Sequence, residues 1–154
     1  MYRKRNRIKN YDYSQPNVYL LTLCTENRAN LFGVVESRPD TTVTVLSPLG
    51  ELVQQTILDI ETYYTNASIE TYSILPNHLH ILLRLDATDE PNAPTISRIV
   101  KNMKEHVTRV YGKSVWQKGF HDHVIRSELE YQNAWNYVTF NPAKWETDEY
   151  FVNE

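Results

Sequence analysis

Apolar positions along this chain switch repeatedly between runs, alternation and helical spacing, so the pattern reads as strands interleaved with helices. Asn17 to Thr25 (NVYLLTLCT) is apolar at consecutive positions, as expected of an interior strand buried on both faces. Leu31 to Leu46 holds two short β-like stretches around Arg38-Pro39-Asp40, a turn sequence. Ser47 then offers an N-cap and Pro48 a first helical residue, and Leu49, Leu52, Val53, Ile57, Ile60 and Tyr64 recur at helical spacing behind them. Ser68 to Leu75 and His78 to Leu85 read as strands. With only Pro76-Asn77 between them, they are expected to pair antiparallel.

Asp86 to Pro94 is a polar loop, after which Ile96, Ile99, Val100, Met103, Val107, Val110 and Tyr111 mark an amphipathic helix. Phe120 to Arg126 is a last short strand. Ser127 and Glu130 form a capping box for a terminal helix with the apolar face Tyr131, Ala134, Trp135 and Val138, stopped by Pro142. The order strand, helix, strand, strand, helix, strand is the split βαβ plan of a ferredoxin-like α+β fold: a central antiparallel sheet with one added C-terminal helix. The 154 residues are expected to form one domain, with no internal repeat or linker. That plan hosts many functions, so chemistry has to be read from particular residues.

Composition narrows the choice. The single cysteine, Cys24, lies in an apolar run, which rules out a disulfide framework and points to core packing and a cytoplasmic setting. No apolar run approaches the roughly 20 residues needed to cross a bilayer, so no membrane partner is expected. Net charge is −3, yet the positive charges are segregated. Arg3, Lys4, Arg5, Arg7 and Lys9 form a basic arm, expected to be flexible. Arg98, Lys101, Lys104, Arg109 and Lys113 line the polar side of the second helix, so these two segments hold ten of the 16 basic residues.

The strand HLHILLRL carries the most specific chemistry. Alternation puts His78, His80, Leu82 and Arg84 on one face and Leu79, Ile81, Leu83 and Leu85 on the other, core face. Two imidazoles two residues apart can converge on one cation, with Arg84 further along the row for an anion. An arbitrary HxH is more often a pair of polar residues at a strand edge, so the wider context has to decide. His121-Asp122-His123 is a second such pair, with Asp in the middle where the first has a large apolar residue. On the terminal helix Tyr137 lies one residue off the apolar stripe, and Asn141 follows four residues on, on the same helical face.

Four blocks in order, YDYSQPNVYLLTLCTENRANLFG, LPNHLHILL, VWQKGFHDHVIR and NYVTFNPAKWE, resemble the single-tyrosine HUH transposases, most closely their REP-associated tyrosine transposase branch. The resemblance implies that His78 and His80 bind a divalent ion, magnesium or manganese. Tyr137, the tyrosine of NYVTFNP, would be the nucleophile, and Asn141 would complete the metal site. It also implies His123 as a supporting residue and single-stranded or hairpin DNA as the partner, gripped by Arg3, Lys4, Arg5, Arg7, Arg84, Arg98, Lys101 and Lys104. Such a protein would be cytoplasmic and nucleoid-associated when bound to DNA. Monomer and homodimer, and action of the tyrosine in cis or in trans, stay open at this point. Two other functions compete with a DNA strand transferase. One is a hairpin-binding protein without chemistry. The other is an RNA-binding module, which would need aromatics on the open face of the central strands where this chain shows two histidines and an arginine.

Overall fold

The computed structural model describes residues 17–148; the basic arm with Arg3, Lys4, Arg5 and Arg7 lies outside the described residues. Strand β1 (Asn17–Cys24) runs into a β2 (Gly33–Ser37), β3 (Thr42–Leu46) hairpin. Helix α1 (Pro48–Tyr63) follows, then β4 (Ala67–Leu75) and β5 (His78–Leu85), α2 (Ile96–Tyr111), β6 (His121–Ile125) and α3 (Glu128–Thr139). A 3-10 segment, Asn141–Thr147, ends the described chain.

The main sheet has the order β4-β5-β1-β6, and every neighbouring pair is antiparallel. This follows from the connections. A helical crossover returns the chain parallel to the strand it left with one strand's gap between them; β5 fills the gap left by α1, and β1 the gap left by α2. The expected α+β, ferredoxin-like sheet is therefore present. Its central strand β1 is flanked on both sides and buried on both faces, which is why its sequence is apolar on both faces apart from Asn17 and Thr22.

Each face has its own core. Tyr19, Leu21, Leu23, Leu79, Ile81, Leu83 and Leu85 pack against α1 and α2 residues such as Val53, Ile57, Ile99 and Met103. On the opposite face Val18, Leu20, Leu82 and Ile125 pack against Ala134 and Val138 of α3, with Tyr131 and Trp135 beside them. Two expectations change here. The histidine face of β5 is not open: His78, His80 and Leu82 are fully buried, because α3 and the 3-10 segment fold back across it. And the apolar stripe of α2 stops being buried at Val107; Val110 and Tyr111 lie on an exposed last turn that ends on Gly112 in the left-handed conformation, φ 84°.

Local capping follows the sequence closely. The Ser47 hydroxyl donates to the carbonyl of Leu31 (2.7 Å) and accepts from the Gly50 amide (3.0 Å), tying the start of α1 to the chain before the hairpin. Gly50 is required there, since a Cβ would run into the Phe32 carbonyl. At α3 the Ser127 hydroxyl accepts from the Glu130 amide (3.1 Å), while the Glu130 carboxylate accepts from the amide of Arg126 (2.7 Å), one residue earlier than a capping box would have it.

Candidate metal and tyrosine site

Strand alternation brings His78 and His80 to the face under α3, with ring centroids 4.8 Å apart. Each imidazole is held through its Nδ1. Asn77 is fully buried; its amide donates to the Arg28 carbonyl (3.2 Å), which turns its oxygen toward His78 Nδ1 at 2.9 Å. That oxygen can only accept, so Nδ1 is the nitrogen that donates to it and Nε2 is the one turned toward the site. His80 Nδ1 lies 2.9 Å from the hydroxyl of Thr22, its register partner on β1. The tight Pro76-Asn77 turn is itself anchored, since Thr25 donates its amide to the Asn77 carbonyl (2.9 Å), while its hydroxyl donates to the Ala29 carbonyl (2.7 Å) and lies 3.1 Å from the Asn77 carbonyl.

The other side of the site comes from the end of the chain. Tyr137 on α3 sets its ring edge-on to His80, centroids 5.0 Å apart, and remains 39% exposed, so the site opens to solvent on the tyrosine side. Trp145 packs on His78 with centroids 6.0 Å apart. Asp148, just past the 3-10 segment, places a carboxylate oxygen 3.6 Å from His78 Nε2. The candidate ligand atoms of His78, His80 and Asp148 all lie within 4.8 Å of one another.

A cation fits this arrangement. His80 Nε2 is buried with no hydrogen-bond partner among the described residues, as is the amide oxygen of Asn141, and a buried polar atom left alone carries a desolvation penalty that a metal ion would remove. Burial, and then the neighbouring charge of His78, push the His80 pKa well below the usual histidine value, with Asp148 opposing. His80 is therefore neutral, the state a metal ligand needs. His78, His80 and Asp148 form a group able to hold a metal ion.

The remaining sequence-derived residues divide sharply. Asn141 is buried at 2% exposure and lies past the end of α3: the helix stops at Thr139, Phe140 has φ −103° and ψ 12°, and Asn141 opens the 3-10 segment. Arg84 stands four residues from His80 along β5, roughly 13 Å at about 3.3 Å per residue, and is paired with Glu70 at 3.3 Å. Glu70 sits at a β-bulge, where the β4–β5 register shifts between Ile69 and Thr71, and also accepts from the Tyr131 hydroxyl at 2.7 Å. That bond raises the Tyr131 pKa and makes it a poor rival to Tyr137.

His121 and His123 lie on the site's face but on β6, with β1 between them and β5. His123 Nε2 is 3.7 Å from Glu130, which ties it to the start of α3. On α2, at the opposite face of the sheet, Arg98 and Lys101 are exposed. Lys104 is spent differently: its ammonium donates to the carbonyls of Gln117 (3.0 Å) and Gly119 (2.8 Å), and burial lowers its pKa. The residue that sequence reasoning missed is Asp148. It belonged to an acidic tail, where nothing local distinguished it from its neighbours.

No family model matches the chain. A protein of Haemophilus influenzae that is itself uncharacterised is 30% identical, and the match spans 99% of this chain and 94% of that protein. The REP-associated tyrosine transposase of Escherichia coli is 30% identical over 77 residues, 49% of this chain and 44% of the transposase, so the match covers under half of that relative's length. The structure of a REP-associated tyrosine transposase bound to a REP hairpin superimposes with a TM-score of 0.66 over 91% of this chain and 74% of that one; at 21% identity this establishes the shared fold. The chain is thus similar over about half its length to REP-associated tyrosine transposases and shares the fold of one, and these findings support the family that the four sequence blocks resemble.

Proposed function

We propose that this chain is a metal-dependent nicking and joining enzyme for single-stranded, hairpin-forming DNA, working through a 5′-phosphotyrosine intermediate. The observation that carries this reading is the approach of Tyr137 to His80, ring centroids 5.0 Å apart, at a buried His-His-Asp group. A hydrolytic nuclease would have no use for a phenol there. His78 and His80, with Asp148 and, as the resemblance implies, Asn141 as further oxygen donors, would hold a divalent ion, which would supply Lewis-acid stabilisation of charge on the phosphoryl oxygens.

Tyr137 acts as the nucleophile. Its unperturbed pKa is about 10, so it needs to lose its proton as it attacks, either to solvent at the exposed side of its ring or to a base brought by the substrate complex. The phenolic oxygen forms a bond to phosphorus and the bond from phosphorus to the 3′ oxygen breaks. That oxygen takes up a proton and leaves as a free 3′-hydroxyl. Because the new phosphotyrosine ester keeps the bond energy, another 3′-hydroxyl can attack it, expel the tyrosine and join two strands without ATP.

Magnesium or manganese is the ion that the family resemblance implies; two imidazoles with oxygen donors would also accept zinc, so the choice rests on that resemblance and not on ligand softness. The charges for DNA would come from Arg98 and Lys101 on α2, from Arg84 after exchange of its Glu70 partner, and from Arg3, Lys4, Arg5 and Arg7. His123 would support the site by positioning α3 through Glu130. The RNA-module reading loses its ground, because α3 and the 3-10 segment cover the sheet face on which bases would stack.

The test is covalent capture. With manganese, the protein should become attached to the 5′ end of the downstream fragment of a hairpin-bearing oligonucleotide, and Tyr137→Phe should abolish the adduct while hairpin affinity stays within a few-fold. An adduct that persists in Tyr137→Phe would move the nucleophile elsewhere. Hairpin binding with no adduct from the unaltered protein would favour a DNA-binding protein without chemistry.

A further inference from the structure

The outer edge of β4 has no strand partner among the described residues, and the β2–β3 hairpin stands beside that edge as a separate two-stranded sheet. Between them lies a groove of about 250 Å³ whose walls include Thr42, Thr44, Gln54, Tyr72, Ser73 and Thr139. None of the described residues lining it is charged. Ser73 is 6% exposed and its hydroxyl has no hydrogen-bond partner among the described residues; the buried hydroxyl of Thr44 is in the same position. Two orphaned hydroxyls in one groove are costly unless a ligand completes them. The Gln54 amide donates to the Tyr72 hydroxyl at 3.1 Å, which leaves that phenol's own hydrogen to donate.

These features select the ligand. A phosphate would want positive charge, and the described lining offers none. Hydroxyl, phenol and amide groups beside the apolar Val43, Leu46, Ile74 and Pro142 in an open groove match a neutral group with apolar faces and with donors and acceptors on its edge, which describes a nucleobase. The volume is below the roughly 300 Å³ at which pockets for larger organic ligands begin, which suits a single ring system. Position links the groove to the site already described. Ser73 is the register partner of His80, about 4.8 Å away across one strand spacing, and Thr139 is two residues beyond Tyr137.

We propose that this groove seats one unpaired nucleobase of the DNA strand whose phosphodiester reaches Tyr137, and so reads one position beside the cleavage point. The proposal rests on the DNA reading above. Because the Ser73 and Thr44 hydroxyls have no hydrogen-bond partner among the described residues, Ser73→Ala and Thr44→Val should fold at least as stably as the unaltered chain.

The experiment selects binders from a fully randomised single-stranded DNA pool with the unaltered full chain, then resynthesises the best binder with each base removed in turn. One abasic position in an unpaired flank should weaken binding about tenfold. The Ser73→Ala, Thr44→Val double variant should bind the intact oligonucleotide correspondingly more weakly and should be indifferent to that same abasic position. Identical abasic profiles for the two proteins would overturn the groove assignment alone, with the DNA reading intact. Failure of the unaltered chain to enrich any DNA would overturn both.

Discussion

Asn77→Ala removes the group that fixes which nitrogen of His78 faces the metal site. Asn77 is fully buried, its oxygen 2.9 Å from His78 Nδ1 and its amide 3.2 Å from the Arg28 carbonyl. Loss of these two side-chain hydrogen bonds, one buried and one part-buried, costs about 2 kcal/mol at roughly 1 kcal/mol each. For a chain of this size that lowers Tm by about 4–8 °C. The second effect concerns the ion: without an acceptor at Nδ1 the imidazole can turn or change tautomer, and removal of such an orienting partner typically weakens metal binding by about 10–100-fold. Calorimetric titration with manganese, beside thermal denaturation of the metal-free protein, reads both numbers. Asn77→Asp separates them. A carboxylate in that place still accepts from Nδ1, so it should restore manganese affinity even though burying its charge lowers the stability of the metal-free form. If Asn77→Ala loses stability but binds manganese as tightly as the unaltered chain, His78 Nε2 is not a ligand and the tautomer argument fails.

Four further outcomes are expected. His80 has a folded-state pKa well below its unfolded value of 6.5, so the unfolded chain binds the extra proton first. Stability of the metal-free protein should be unaffected by His80 above pH 6.5 and fall by up to about 1.4 kcal/mol per pH unit below it; urea titrations at pH 7.5, 6 and 5 check this, and a His80→Gln variant should show a shallower decline. Lys104→Met should destabilise the fold by losing two carbonyl contacts, whereas Lys101→Ala should leave Tm unchanged and make the salt dependence of DNA binding shallower by about 0.7 in log–log slope. Equal stability loss in both would contradict the division of labour on α2. His80→Ala should abolish manganese-dependent adduct formation and His121→Ala should leave most of it; comparable losses would bring β6 into the metal site. Asp148→Asn should weaken manganese binding measurably in calorimetry, and an unchanged affinity would remove the carboxylate from the ligand set.

The sequence by itself determined what depends on neighbours along the chain. Ser47-Pro48 starts α1 because a hydroxyl cap and a fixed φ act within one turn, and Pro76-Asn77 forces the β4–β5 hairpin because so short a joint permits nothing else. The shared face of His78 and His80 was equally legible, since strand alternation is a local rule. What lay beyond reach were the features set by packing between distant segments. That the histidine face is covered rather than open depends on α3 folding back across the sheet, driven by Ala134 and Val138 burying against Leu20 and Leu82. The 5.0 Å approach of Tyr137 to His80 is a product of that docking. The same holds for Asp148, carried to His78 by a 3-10 segment whose path no periodicity announces. Arg84 and Lys104 look like free cations in sequence. Only the fold shows one drawn to Glu70 at a bulge and the other tying down the 117–119 loop, because a charged side chain goes to whatever acceptor the tertiary structure leaves within its reach.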